Sequence, residues 1–271
     1  LLRSVWFAFT ETNINNLVVS NNIIRNLSYF GVTLYDYPAG SATSGHVVSG
    51  NLIKDLGTYD TASGISKWGG GVLLYNNQYA RLTDNVMQNV RLGVQTGNFH
   101  RANPTPAVAP VISGNTIQAR RMGIFHNLHY SAASAYSLSN NTITGLADVN
   151  ETGVRGILLS SLSVPSTSSG NTIDMSGVTA PTSGYEVWNV KATSAAAITG
   201  GSVSGAATGL FLNNFEGYSS NAGDGAHATV SGLAITCPAA GTGIRVLDST
   251  SSSTHAAVSV AIGSGVSVTG G

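Results

Sequence analysis

A single cysteine, Cys237, stands in 271 residues, which excludes an internal disulfide and any metal cluster built on thiolates. Two positions after Ile235, it reads as a small hydrophobe pointing into the core. Charge is nearly as scarce: 9% of residues carry it, and 12 Lys+Arg balance 12 Asp+Glu. No basic face for nucleic acid or an acidic membrane follows from that balance. No run reaches the roughly 18 apolar residues of a membrane span. The opening Leu1 to Phe9 lacks both a starting Met and the basic leader with apolar run of a secretion signal. Sparse charge with abundant Gly, Ser, Thr, Asn and Ala would suit a disordered chain, but 42% hydrophobic residues, placed at strand period, argue for a packed core.

What fills the chain is one phrase, imperfectly copied. Val47-Val48-Ser49-Gly50-Asn51-Leu52-Ile53-Lys54 recurs as Ser20-Asn21-Asn22-Ile23-Ile24, Thr83-Asp84-Asn85-Val86-Met87, Ser113-Gly114-Asn115-Thr116-Ile117, Ser139-Asn140-Asn141-Thr142-Ile143 and Ser169-Gly170-Asn171-Thr172-Ile173. The marker asparagines Asn22, Asn51, Asn85, Asn115, Asn141 and Asn171 are 29, 34, 30, 26 and 30 residues apart. That period announces a repeat architecture. Later copies keep the beat with glycine at the marker, as in Thr199-Gly200-Gly201-Ser202-Val203 and Ser231-Gly232-Leu233-Ala234-Ile235. Asparagine suits such a turn because it tolerates the left-handed conformation and stacked copies can hydrogen-bond along the stack. The apolar residue two positions on (Ile24, Ile53, Met87, Ile117, Ile143, Ile173) is expected to point inward.

Each marker is paired with a second phrase, Gly-apolar-x-apolar: Gly31-Val32-Thr33-Leu34, Gly71-Val72-Leu73-Leu74, Gly123-Ile124-Phe125-His126, Gly156-Ile157-Leu158-Leu159, Gly209-Leu210-Phe211-Leu212 and Gly243-Ile244-Arg245-Val246. Both phrases alternate with period two and read as strands. The expected fold is all-β: a single-stranded β-solenoid of about nine rungs, a rod on the order of 40 Å long at ~4.8 Å per rung, forming one domain over residues 1–271. Val5 to Phe9 reads as a strand whose half-rung is missing. Neither terminus shows an amphipathic cap, so uncapped ends are expected, and with them a segment of a longer polypeptide or end-to-end assembly.

The paired phrases resemble the right-handed parallel β-helix of the pectin-lyase-like superfamily, over nearly the whole chain. The resemblance implies that Gly71 to Tyr75 lies on a first sheet, Ala80 to Thr83 on a second and Leu52 to Lys54 on a third. It also implies that a ligand groove runs along the outside of the first sheet. Its members include pectate lyases, polygalacturonases, uronan epimerases, phage tailspikes and adhesins, so fold alone does not choose a chemistry.

Alternation puts Val72, Leu74, Ile124, Ile157, Leu159, Leu210 and Leu212 inside. It leaves Tyr35, Leu73, Tyr75, Gln95, Phe125, Asn127, Leu158, Trp188, Phe211 and Arg245 outside, an aromatic and aliphatic stripe. Aromatic faces beside amides suit sugar rings, which makes Tyr35, Tyr75, Gln95, Phe125, Asn127, Trp188, Phe211 and Arg245 the candidate carbohydrate-binding residues. A stripe of this kind can equally be covered by a loop or by another subunit. Long excursions, Leu56 to Trp68, Asn98 to Pro110, Leu128 to Ala135 and Phe215 to His227, are expected to wall it.

A second signal is the group of ionisable residues between 91 and 155. Abstracting the C5 proton of a uronic acid needs a base near neutral pH and a cation for the carboxylate, roles open to His100, Arg101, Arg121, His129 and Tyr130. Against it, Arg121 can simply pair with Asp148 or Glu151, and His126 by parity can point into the core. The paired aspartates of polygalacturonases, the calcium aspartates of pectate lyases and the Asp-Pro-His of mannuronan epimerases have no counterpart here. His46, His227 and His255 have no metal spacing, and no cofactor is implied. The expectation is an extracellular or cell-surface β-helix with a structural or adhesive role. Its partners would be a polysaccharide along the first-sheet groove and other copies at the open ends. The alternative is a lyase or epimerase acting on a uronic-acid polymer.

Overall fold

A computed structural model describes residues 5–9, 16–27, 29–36, 45–56, 69–75, 80–97, 110–127, 136–148, 151–162, 164–179, 181–190, 192–214, 225–248 and 258–270. Apart from one 3₁₀ turn, Ala192–Ser194, the regular structure among them is strand, and neighbouring strands pair in parallel. Parallel neighbours cannot be joined by hairpins. The chain therefore completes a whole coil before it returns to lie beside itself, and the coil length is the repeat seen in the sequence. The architecture is the expected all-β parallel β-helix.

Nine strands stack in one sheet, which contains His46–Ser49, Ala80–Thr83 and Val111–Ser113 and corresponds to the second sheet of the resemblance. The first and third sheets are one 16-stranded sheet, a departure from the three separate sheets expected. The two faces fuse because Val86–Gly97 and Thr116–Asn127 each run 12 residues through the corner between them. Their pairing is interrupted by register shifts between Ile117 and Ala119 and between Ala119 and Met122, and such irregularities bend a strand without ending it.

The inward rows are as the alternation requires. Val72, Ile124, Ile157, Leu159, Leu210 and Leu212 are fully buried, as are Ile53, Met87, Ile117, Ile143 and Ile173, and Cys237 joins the same core. The glycine that opens the second phrase sits where a corner is tightest. A Cβ on Gly123 would lie 2.4 Å from Ile143 Cγ2 and 2.7 Å from the Gly156 carbonyl.

The marker asparagines form a ladder, buried from Asn51 onward. Each side-chain amide donates to the Oδ1 of the next: Asn22 to Asn51 at 3.1 Å, then Asn51 to Asn85, Asn85 to Asn115, Asn115 to Asn141 and Asn141 to Asn171, each at 2.9 Å. The same Oδ1 also accepts the backbone N–H of the preceding marker. The left-handed residue is not the marker, as expected, but the one before it: Asn21, Gly50, Asp84, Gly114, Asn140 and Gly170 have φ between 54° and 65°. The division of labour is physical. The residue before turns the chain, and the marker, in ordinary conformation, can then direct its amide inward.

Candidate functional site

Strand register fixes what the outside of the first face presents. One outward row runs Thr33, Leu73, Gln95, Phe125, Leu158, Glu186, Phe211, Arg245 from coil to coil. Two residues further along the strands a second row includes Asn127, Ser160, Trp188 and Asn213. The residues expected on this stripe whose side chains are described do face outward, but the stripe is not uniformly exposed. Leu73, Gln95, Asn127 and Leu158 are buried, at 5%, 6%, 7% and 0% exposure. Leu73 and Leu158 join Phe30, Leu92 and Met122 in a second apolar cluster, separate from the core, against which Phe125 and Trp188 pack. Four candidate carbohydrate-binding residues, Phe125, Trp188, Phe211 and Arg245, keep part of their surface open. The side chains of Tyr35 and Tyr75 lie outside the described residues, as do residues 57–68, 98–109, 128–135 and 215–224 of the expected walls.

At the bend between the third and first faces, three arginines gather around two carboxylates. Arg91, with 5% of its side chain exposed, grips Glu151 through Nε and through Nη2, the latter at 3.3 Å. Arg121 lies 3.8 Å from the same carboxylate, and Arg120 lies 3.7 Å from Asp148. Arg120 also donates from Nη2 to the Leu56 carbonyl at 2.8 Å. Burial pulls the Arg120 guanidinium below its usual range, with Asp148 opposing. Of the five residues that could form a proton-abstraction site, His100, Arg101, His129 and Tyr130 lie outside the described residues, and Arg121 belongs to this ion-paired bend.

His126 is inside the rod, as parity indicates. It is fully buried, 2.8 Å from Thr96 Oγ1 through Nδ1 and edge-on to Tyr136 at 5.7 Å. Burial pushes its pKa down to about 3. Among the described residues, no group of three or more His, Cys, Asp or Glu could hold a metal ion.

The most ordered arrangement on the outer face is one that simple parity would have found. Gly184-Tyr185-Glu186-Val187-Trp188 is another copy of the glycine phrase, and it places Glu186 outward between Leu158 and Phe211. Glu186 is 2% exposed. It accepts from Arg155 Nε at one oxygen and from Trp188 Nε1, at 2.7 Å, at the other. Burial raises its pKa, and the Arg155 charge opposes the rise. With both oxygens engaged, this carboxylate holds its neighbours in place rather than offering itself to a substrate. The Arg155 guanidinium meanwhile lies over the Trp188 ring, 5.2 Å from its centre. A second such pair follows, with Arg245 over Phe211 at 5.1 Å. Stacking of this kind stiffens an aromatic side chain that would otherwise rotate.

A family model described as "Protein of unknown function (DUF1565)" matches residues 60–180. No curated protein and no solved structure gives a match. The matched span holds four of the laddered asparagines and the ion-paired bend; Glu186, Trp188, Phe211 and Arg245 lie beyond it. The coils give the chain the architecture of a parallel β-helix, and the family match lies within it.

Proposed function

We propose that this β-helix is displayed at a cell surface or outside the cell, where it binds polysaccharide along the outer side of its first face in a structural or adhesive role. The observation that carries the reading is Trp188, pinned through its indole N–H by Glu186 and stacked by Arg155 while part of its surface stays open. A rigid aromatic face loses little entropy on receiving the apolar C–H face of a sugar ring. Phe211 under Arg245 repeats the device, and Phe125 adds a third part-exposed ring. No described residue gives the lyase or epimerase alternative comparable support.

Retention on gels containing plant, algal and bacterial polysaccharides tests the proposal. Replacing Trp188 and Phe211 together by alanine is expected to weaken retention at least about tenfold, the loss of one good contact. Thr142→Ala, on the outside of the third face, serves as the control. Retention of the double variant equal to wild type would remove the first face from consideration. Light scattering on the same samples separates glycan binding from self-association, the other way of covering an apolar stripe.

A further inference from the structure

Two amides on the outer face are out of keeping with their surroundings. Gln95 stands in a row whose other members include Leu73 and Leu158, so an apolar side chain plainly fits there. Yet the Gln95 Oε1 is buried without a hydrogen-bond partner, and so is the Asn127 Oδ1 in the neighbouring coil. Neither side chain is more than 7% exposed. A buried acceptor without a donor is costly, and folded proteins keep few of them. Where local choice opposes stability in this way, a binding role is the ordinary cause.

The two oxygens belong to one small region. Gln95 pairs directly with Phe125, and Asn127 follows Phe125 by two residues on the same strand and face. From ~4.8 Å between strands and ~3.3 Å per residue, their Cα atoms are on the order of 8 Å apart, within reach of one ring. Phe125 between them is part-exposed. The backbone of Asn127 is fixed from below, its N–H donating to Thr96 Oγ1 at 3.2 Å, and that hydroxyl is in turn held by His126.

We infer that Gln95 and Asn127 are the acceptor pair of a subsite for a neutral sugar unit, whose ring lies on Phe125 and whose hydroxyls donate to the two amide oxygens. The inference rests on the polysaccharide reading above and specifies its chemistry. Acceptor oxygens repel a carboxylate or sulfate. The nearby arginines are already engaged, Arg91 and Arg121 sharing Glu151 and Arg120 lying beside Asp148.

Calorimetry with cellohexaose, xylohexaose and mannohexaose, and with hexagalacturonate for contrast, tests this on the whole chain. Gln95→Met keeps the shape and removes the oxygen. It is expected to weaken binding of a neutral hexasaccharide about tenfold while raising the melting temperature by roughly 2–4 °C, a combination that a merely structural glutamine would not give. Asn127→Ser, which installs the residue its register partner Ser160 already has, is expected to weaken the same binding and guards against a misfolded first variant. Neutral binding unchanged in both variants but lost in Trp188→Ala would overturn the subsite and leave the groove reading standing. Binding confined to hexagalacturonate would overturn the neutral assignment alone. Failure of wild type to bind any of the four would overturn the subsite, and absence of retention on the polysaccharide gels as well would overturn the groove reading.

Discussion

Coils up to Asn171 and coils after it fill the same slot behind the turn in different ways. In the earlier coils the slot holds asparagine, and each amide is satisfied by the next. In the later ones it holds Gly201 and then Leu233, the latter fully buried. The changeover is managed at Asn171, whose amide keeps the bond to a carbonyl of the preceding coil that the other buried markers make, here Leu138 at 3.0 Å, but in place of a following asparagine donates to Ser168 Oγ at 2.9 Å. Tyr185 closes the group from within the core, its hydroxyl 3.2 Å from Ser168. A buried polar ladder and an apolar slot are both stable solutions, but a boundary between them needs a purpose-made end, since a half-satisfied polar network is worse than an apolar core.

The sharpest way to break this comparison is to extend the ladder by sequence alone. Gly201→Asn restores the pattern, yet Gly201 has φ 83° and a Cβ there would lie 2.2 Å from the Asn171 carbonyl oxygen. The substitution is expected to destabilise by about 4 kcal/mol, measured by denaturant unfolding; a stabilised variant would show that the slots are interchangeable. Next comes Asn115→Leu, which gives a mid-ladder coil the residue that Leu233 provides later. It leaves the Asn85 N–H and amide without their common acceptor, at an expected cost of about 3 kcal/mol. A loss no larger than that of a surface change would mean the ladder is ornamental.

A third test varies pH. His126 and Thr96 put a polar pair into an inward row that is Val187, Leu212 and Val246 in the later coils. His126 is neutral in the fold, with its pKa lowered from 6.5 to about 3. The unfolded chain therefore binds more protons between those values, and stability is intact above 6.5 and falls as pH drops towards 3. The slope from this residue is about 1.4 kcal/mol per pH unit. Burial lowers His227 in the same direction, so the comparison is with Thr96→Val/His126→Leu. That double variant is expected to flatten the profile by the share of His126 alone; it also takes the acceptor from the Asn127 N–H, a loss that lowers stability at every pH without changing the slope.

The fold was open to sequence reading because both periods, two along the strands and about thirty between coils, are written in residue type. Val72, Ile124 and Ile157 are inside for the reason alternation gives. Two things were not so open. The left-handed turn falls on Asn21, Gly50 and Asp84 rather than on Asn22, Asn51 and Asn85, because a run such as Asn21-Asn22 does not say which amide turns the chain and which is buried. The burial of Leu73 and Leu158 follows from packing with Phe30, Leu92 and Met122, and alternation gives facing, not cover. Glu186 was legible in its glycine phrase; its engagement with Arg155 depends on a neighbour 31 residues away, which no local pattern announces.

The asparagine ladder also has a direction. Every rung gives two protons, one from the backbone and one from the side chain, to a single oxygen supplied by the coil that follows. A coil emerging early in synthesis therefore waits with two open donors, and the next coil arrives carrying the acceptor that answers both. In this half of the rod each coil thus presents a matched pair of donors to its successor, and the pattern has one polarity. It stops at Asn171 because Ser168 and Tyr185 take up that amide from within their own coil.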